Sequence, residues 1–167
     1  LLLATKNGSA VRFEEKDVRP MGRASRGVRG IRLKGDDQVV AAAIPEETND
    51  IFTITTHGYG KRTPVSDYRL ISRGGSGVIN IKTTERNGDV VAVICVNQSD
   101  DVVLISQNGI IIRVPVADVS QRGRNTQGVR IMKMENDVVV SAARGVPEED
   151  VSHVPIPPQK SDEQLVK

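Results

Sequence analysis

Three nine-residue segments, 18–26, 68–76 and 119–127, hold seven arginines and no Lys, Asp or Glu. The arginines are Arg19, Arg23, Arg26, Arg69, Arg73, Arg122 and Arg124. Residues 1–145 carry 16 acids, so about three would fall in these 27 positions by chance. Gly22, Gly74, Gly75 and Gly123 stand among the arginines and let the backbone approach a partner closely. Arginine beside Gly, Ser, Thr and Asn suits phosphate oxygens, because the guanidinium fork binds two of them and backbone and hydroxyl donors add more.

The segments belong to a repeat. Gly8, Arg12, Asp17, Gly27 and Val28 recur as Gly58, Arg62, Asp67, Gly77 and Val78, and again as Gly109, Arg113, Asp118, Gly128 and Val129. The steps from Gly to Arg, Arg to Asp and Asp to Gly are 4, 5 and 10 residues in every copy. Two basic columns follow from this register: Arg12, Arg62 and Arg113 after the first glycine, and Arg32, Lys82 and Lys133 five residues after the second. A column at fixed register points the same way from every copy, so the charges form a band. For Arg12 and its equivalents a structural reading stands beside the binding one, in which each pairs with the Asp of its own repeat.

Apolar runs lead into Lys6-Asn7-Gly8, His57-Gly58 and Gln107-Asn108-Gly109, which predict hairpins with type I′ turns at the Asn-Gly pairs. A short strand follows each turn. A longer connection then reaches the second glycine and a third strand, and a Val-rich strand closes the unit. About four strands in 40–50 residues is the pattern of a propeller blade. The prediction is an all-β, propeller-like chain of three four-stranded blades over 1–48, 49–98 and 99–145. Three blades are too few to close a ring, so the chain reads as a piece of a larger propeller or, failing that, as an open stack with exposed outer blades.

Composition sets the limits on function. The 167 residues include two Tyr, two Phe and no Trp, which leaves Val and Ile to build the core and argues against base stacking on single strands. Residues 146–167 carry five acids against two lysines, and four of the eight prolines, so they read as an extended or disordered tail; the body is net +5. A lone cysteine, Cys95, excludes a disulfide framework, and His57 and His153 are too far apart in sequence to suggest a metal site. The longest uncharged stretch, eleven residues at 102–112, is too short to span a bilayer. Arg73-Gly74-Gly75-Ser76-Gly77 lacks the Gly-Lys-Ser/Thr ending of a nucleotide loop. No nucleophile, base or carboxylate pair falls at a catalytic spacing. The basic band therefore points to duplex DNA held by its backbone and bent along a curved track.

Several blocks carry a specific resemblance: Val18-Arg19-Pro20-Met21-Gly22-Arg23, Gly27-Val28-Arg29-Gly30-Ile31-Arg32-Leu33, Gly58-Tyr59-Gly60-Lys61-Arg62-Thr63, Thr84-Glu85-Arg86-Asn87-Gly88 and Gly123-Arg124-Asn125-Thr126-Gln127-Gly128-Val129. Over residues 1–147 the chain closely resembles the C-terminal domain of DNA gyrase A, and looks like the last three blades of that family's six-bladed β-pinwheel followed by its acidic tail. The resemblance implies a non-enzymatic module that wraps duplex DNA without sequence preference and supports ATP-dependent negative supercoiling. It implies partners in the rest of gyrase A and in gyrase B, as an A2B2 assembly in the bacterial cytoplasm. The catalytic Tyr, the ATPase and the cofactors ATP and Mg2+ belong to other parts of that holoenzyme. Lys61 joins the candidate DNA contacts through its block. The family's Gln-Arg-Arg-Gly-Gly-Lys-Gly box is incomplete here: Ser72-Arg73-Gly74-Gly75-Ser76-Gly77 is nearest, with its first positions and its Lys changed. That departure implies later blades that alone bind DNA weakly and bend it little. The corresponding, related domain of topoisomerase IV is the alternative within this class; a propeller-type protein-interaction or structural module is the alternative outside it.

Overall fold

The computed structural model describes residues 1–145, so the tail expected over 146–167 lies outside the described residues. The first repeat forms β1 (Leu2–Thr5), β2 (Ser9–Arg12) and β3 (Val39–Ala43). The second forms β4 (Asp50–Thr55), β5 (Tyr59–Pro64), β6 (Val78–Ile79) and β7 (Val90–Val96). The third forms β8 (Asp101–Ser106), β9 (Ile111–Pro115), β10 (Val129–Arg130) and β11 (Val139–Gly145). The only helical pieces among the described residues are three single 3-10 turns, Glu15–Asp17, Val65–Asp67 and Val116–Asp118, each ending on the repeat Asp.

The hairpin turns differ from the expected type I′. That turn needs positive φ at both central residues, and here only the glycines have it, at 84°, 76° and 85° for Gly8, Gly58 and Gly109. Each glycine N–H donates to the carbonyl three residues back, at 3.0, 3.0 and 3.1 Å. The result is the three-residue loop in which an ordinary bend is closed by a left-handed glycine. The hydroxyls of Thr5 and Ser106 favour it by accepting the N–H of Ser9 and Ile110, both at 3.1 Å.

The fold is all-β and propeller-like, as expected, but the third strand of the second and of the third repeat is not in its own blade. The sheet orders are β3-β1-β2-β6, β10-β5-β4-β7 and β11-β8-β9. β6 crosses to the first blade, pairing Ser9 with Ile79, and β10 crosses to the second, pairing Tyr59 with Arg130. The segment after Gly27 forms no strand, and among the described residues no later strand crosses back to β9, so the third sheet has three strands rather than four and Ile110 and Ile111 at its β9 edge are exposed. The second glycine column marks the crossing. A Cβ on Gly77 would come within 2.3 Å of the Ala10 carbonyl, and one on Gly128 within 2.7 Å of the Gly60 carbonyl, whereas Gly27 meets nothing within 4 Å.

The core lies between blades. In β4, Ile51 faces the first blade, packing with Leu2, Ala4, Val65 and Tyr68. Phe52 and Ile54 face the third, with Val102, Leu104, Val116 and Val119. Alternation thus buries both faces of the middle sheet, and each of the Ile, Leu, Val and Phe side chains contributes roughly 1.5–3 kcal/mol. A polar link crosses the first interface: buried Asn80 accepts the Tyr68 hydroxyl at 2.6 Å and lies 3.3 Å from the Thr53 hydroxyl.

Candidate nucleic-acid interface

Each acid-free segment follows a 3-10 turn, which sends the chain out of the second strand in the same direction three times. The second and third segments then lie along the preceding blade. Ile71 donates to the Arg12 carbonyl and Arg122 to the Arg62 carbonyl, both at 2.9 Å, and Arg12 and Arg62 form parallel bridges with Leu70 and Gln121. The loops therefore ride on the outer edge of the blade before them, next to the crossing strands β6 and β10.

The fourteen basic residues singled out from the sequence separate into two groups in this frame. Arg19, Arg23, Arg26, Arg32, Arg69, Lys82 and Arg122 are exposed, with no ion pair or side-chain hydrogen bond among the described residues. Arg73 and Arg124 lie half-buried and staple loops to neighbours: Arg73 donates to the carbonyls of Asp17 and Arg29, at 2.8 and 3.2 Å, and Arg124 to that of Ile79 at 3.0 Å. Lys133 is exposed and ion-paired to Glu135.

The column Arg12, Arg62 and Arg113 is engaged with carboxylates. Arg12 is buried, ion-paired to Glu47 and donating to the carbonyls of Val65 and Tyr68 in the next repeat. Arg62 pairs with Asp50 at 2.6 Å and donates to the Val119 carbonyl at 2.8 Å. Arg113 pairs with Asp101 at 2.6 Å. The partners are thus not Asp17, Asp67 and Asp118, as the in-repeat pairing supposed. Asp50 and Asp101 stand diagonally across the hairpin from their arginines on one face of the sheet, which brings the charges together without bending the chain.

The family question is decided by sequence. The pattern of the family described as DNA gyrase C-terminal domain, beta-propeller, matches residues 1–46, 49–97 and 100–145. The chain belongs to that family. DNA gyrase A of Staphylococcus aureus strain MRSA252 is 43% identical over 151 residues, which are 89% of this chain and 17% of the relative. The chain thus spans about a sixth of the length of the curated relatives it matches. The solved DNA gyrase A C-terminal domain is similar at a TM-score of 0.77 and 29% identity, over 87% of this chain and 50% of that one. The C-terminal domain of DNA topoisomerase IV is similar at 0.80 and 25%, over 86% and 45%.

In this gyrase-family module Lys61 sits apart from the other cations. It is fully buried, and its ammonium donates to the carbonyls of Gly123 and Arg124 at 2.6 and 2.9 Å. It holds the third loop from beneath. Burial, helped by the Arg124 charge and opposed by Asp67, pulls its pKa down to about 8 from 10.5. Between those values the unfolded chain binds more protons than the folded one, so stability rises with pH over that window and is lost as pH falls through 8. Between pH 7.5 and 10 the gain is about 2 kcal/mol. Thermal melts at pH 7.5 and 10 should show it in the wild type and not in Lys61→Met; equal pH responses in the two would refute the assignment.

Sequence reasoning missed Arg86 and Arg130, which flank Tyr59 with their guanidinium carbons 5.1 and 5.6 Å from its ring centroid. Both donate to its hydroxyl, and this pulls the phenol below its ordinary value. Burial pushes the Tyr68 phenol up and the Cys95 thiol up, so neither is an activated nucleophile. Among the described residues no helix is long and apolar enough to cross a membrane.

Proposed function

We propose that this gyrase-family module binds duplex DNA by its backbone, without sequence preference, and bends it along the outer edges of its blades in support of negative supercoiling. The observation that carries this reading is the set of seven exposed cations without partners among the described residues, spread over all three repeats, five of them on loops free of acids. Cations kept without counter-ions repel one another, and a polyanion is the partner that removes that cost. The contacts position phosphates and read no bases. In the intact enzyme the partners would be the remainder of gyrase A and gyrase B in an A2B2 assembly in the bacterial cytoplasm, at the nucleoid. ATP and Mg2+ would serve sites outside this module. Gyrase is favoured over topoisomerase IV by the 43% identity to gyrase A of Staphylococcus aureus.

The test is fluorescence anisotropy of the full chain with a duplex of about 40 base pairs across a salt series. About six neutralised phosphates give a log–log slope near −5, from roughly −0.9 per contact, indifferent to sequence. No binding at the lowest salt would overturn the proposal.

A further inference from the structure

At the turn end of the second blade a notch with about 300 Å³ of open space is lined by Met134 and by the polar side chains of His57, Tyr59, Arg86, Arg130, Lys133 and Asp137. The second and third repeats meet the solvent together here. Arg86 comes from the connection between β6 and β7, and Arg130 from β10, the crossing strand paired to β5 at Tyr59. Arg86 Nε lies 3.4 Å and an Arg130 terminal nitrogen 3.1 Å from the Tyr59 hydroxyl oxygen. Neither arginine has a carboxylate partner among the described residues. Two like charges thus converge on one neutral oxygen, an arrangement that a shared anion would relieve.

The hydrogen-bond inventory of Tyr59 points the same way. Its oxygen accepts from both guanidinium groups, while its own proton has no acceptor among the described residues. A phenol that accepts twice keeps its own proton free to donate to an acceptor that enters the notch. The nearby acid does not fill that role. Asp137 Oδ1 accepts the N–H of Asn108 and of Val138, at 3.1 and 2.8 Å. Its Oδ2 has no hydrogen-bond partner among the described residues and bonds neither arginine nor the phenol, and Lys133 is offset by Glu135, so two guanidinium charges face one carboxylate. The remaining charge of the notch is therefore positive.

The cluster is not part of the blade's own framework, because it is not repeated. The cross-strand pair equivalent to Tyr59 with Arg130 is Ser9 with Ile79 in the first sheet, and Tyr59's place in the third repeat is Ile110. Along β5, Tyr59 is three residues from Arg62, whose carbonyl carries the third acid-free loop, so the notch lies roughly 10 Å from that loop at about 3.3 Å per residue. It continues the basic edge of one blade.

We propose that Arg86, Arg130 and the Tyr59 hydroxyl form a phosphate-binding notch, taking two oxygens of one phosphate group on the guanidinium donors and the phenol proton. As a phosphodiester contact of wrapped DNA, this rests on the duplex-binding reading above; a free phosphate would use the same donors.

The two tyrosines make the test direct. Full chain labelled with 3-fluorotyrosine has two 19F resonances, assigned with Tyr68→Phe, and it is titrated separately with duplex DNA and with inorganic phosphate. The duplex should move the Tyr59 resonance and leave buried Tyr68 unmoved. By anisotropy, R86Q/R130Q should weaken duplex binding about tenfold near 100 mM salt and flatten the salt slope by about one. Tyr59→Phe, which keeps the ring and loses the proton, should weaken it a few-fold, and it serves if the double variant does not fold. A saturating duplex titration with Tyr59 unmoved and R86Q/R130Q binding like the wild type overturns the duplex contact and leaves the wider edge intact. Inorganic phosphate then decides the rest. A Tyr59 shift abolished by R86Q/R130Q makes free phosphate the source, and no shift overturns the notch. If the wild type does not bind duplex at all, the duplex-binding reading fails, and the phosphate titration still tests the notch by itself.

Discussion

Replacing Arg62 with Met is expected to destabilise the module by about 3–4 kcal/mol, because it leaves Asp50 as an uncompensated, largely buried charge. The Val119 carbonyl loses its donor as well. For a domain of this size the melting temperature should fall by roughly 10 °C. Adding Asp50→Asn should restore a good part of the loss, since the unpaired charge is then gone. The salt slope of duplex binding should not change. The opposite pattern, a melting temperature within about 2 °C of the wild type and a slope flatter by about one unit, would make Arg62 a phosphate contact and refute the structural assignment.

The second large effect runs the other way. Arg19, Arg23, Arg26, Arg69 and Arg122 are exposed and unpartnered among the described residues, so changing all five to Gln removes no interaction that the fold uses. Unfolding should be unaffected, or slightly delayed as self-repulsion falls. Duplex binding should weaken by about a thousandfold or more near 100 mM salt, with the slope reduced to between about −1 and −2, because Arg32 and Lys82 remain. The unchanged melt serves as the control. Unchanged binding by this quintuple variant would move the DNA path off the acid-free loops.

These two arginine classes look alike in the sequence, and the reason is instructive. The loop segments are recognisable because acids are missing from them, a signal that does not depend on where the chain goes. The Arg12, Arg62 and Arg113 column shows only that an arginine recurs. Its partner had to be guessed, and the Asp five residues on was nearer in sequence than the Asp twelve residues back, which cross-strand pairing places alongside. Lys61 did leave a trace. Its column holds Val11 in the first repeat and Ile112 in the third, so a cation occupies an apolar position. The strand exchange was hidden for a different reason. Identical spacings arise whether the segment after the second glycine pairs within its own blade or crosses to the one before it. Only the clash that a Cβ on Gly77 or Gly128 would make with the preceding blade distinguishes the two.

The crossing strands also set the order in which the chain can mature as it leaves the ribosome. The first blade has its inner three strands once Ala43 has emerged, yet its outermost strand is Val78–Ile79. The second is likewise left open after Val96 until Val129–Arg130 arrives. Each of these blades is therefore finished one repeat late, by the unit synthesised after it. A nascent chain always exposes one unpaired edge, the condition under which wrong strand pairing and aggregation compete with folding. The same delay couples neighbours at equilibrium, because unfolding one repeat removes a strand from the blade before it. Loss of structure should then pass from blade to blade instead of stopping at a repeat boundary.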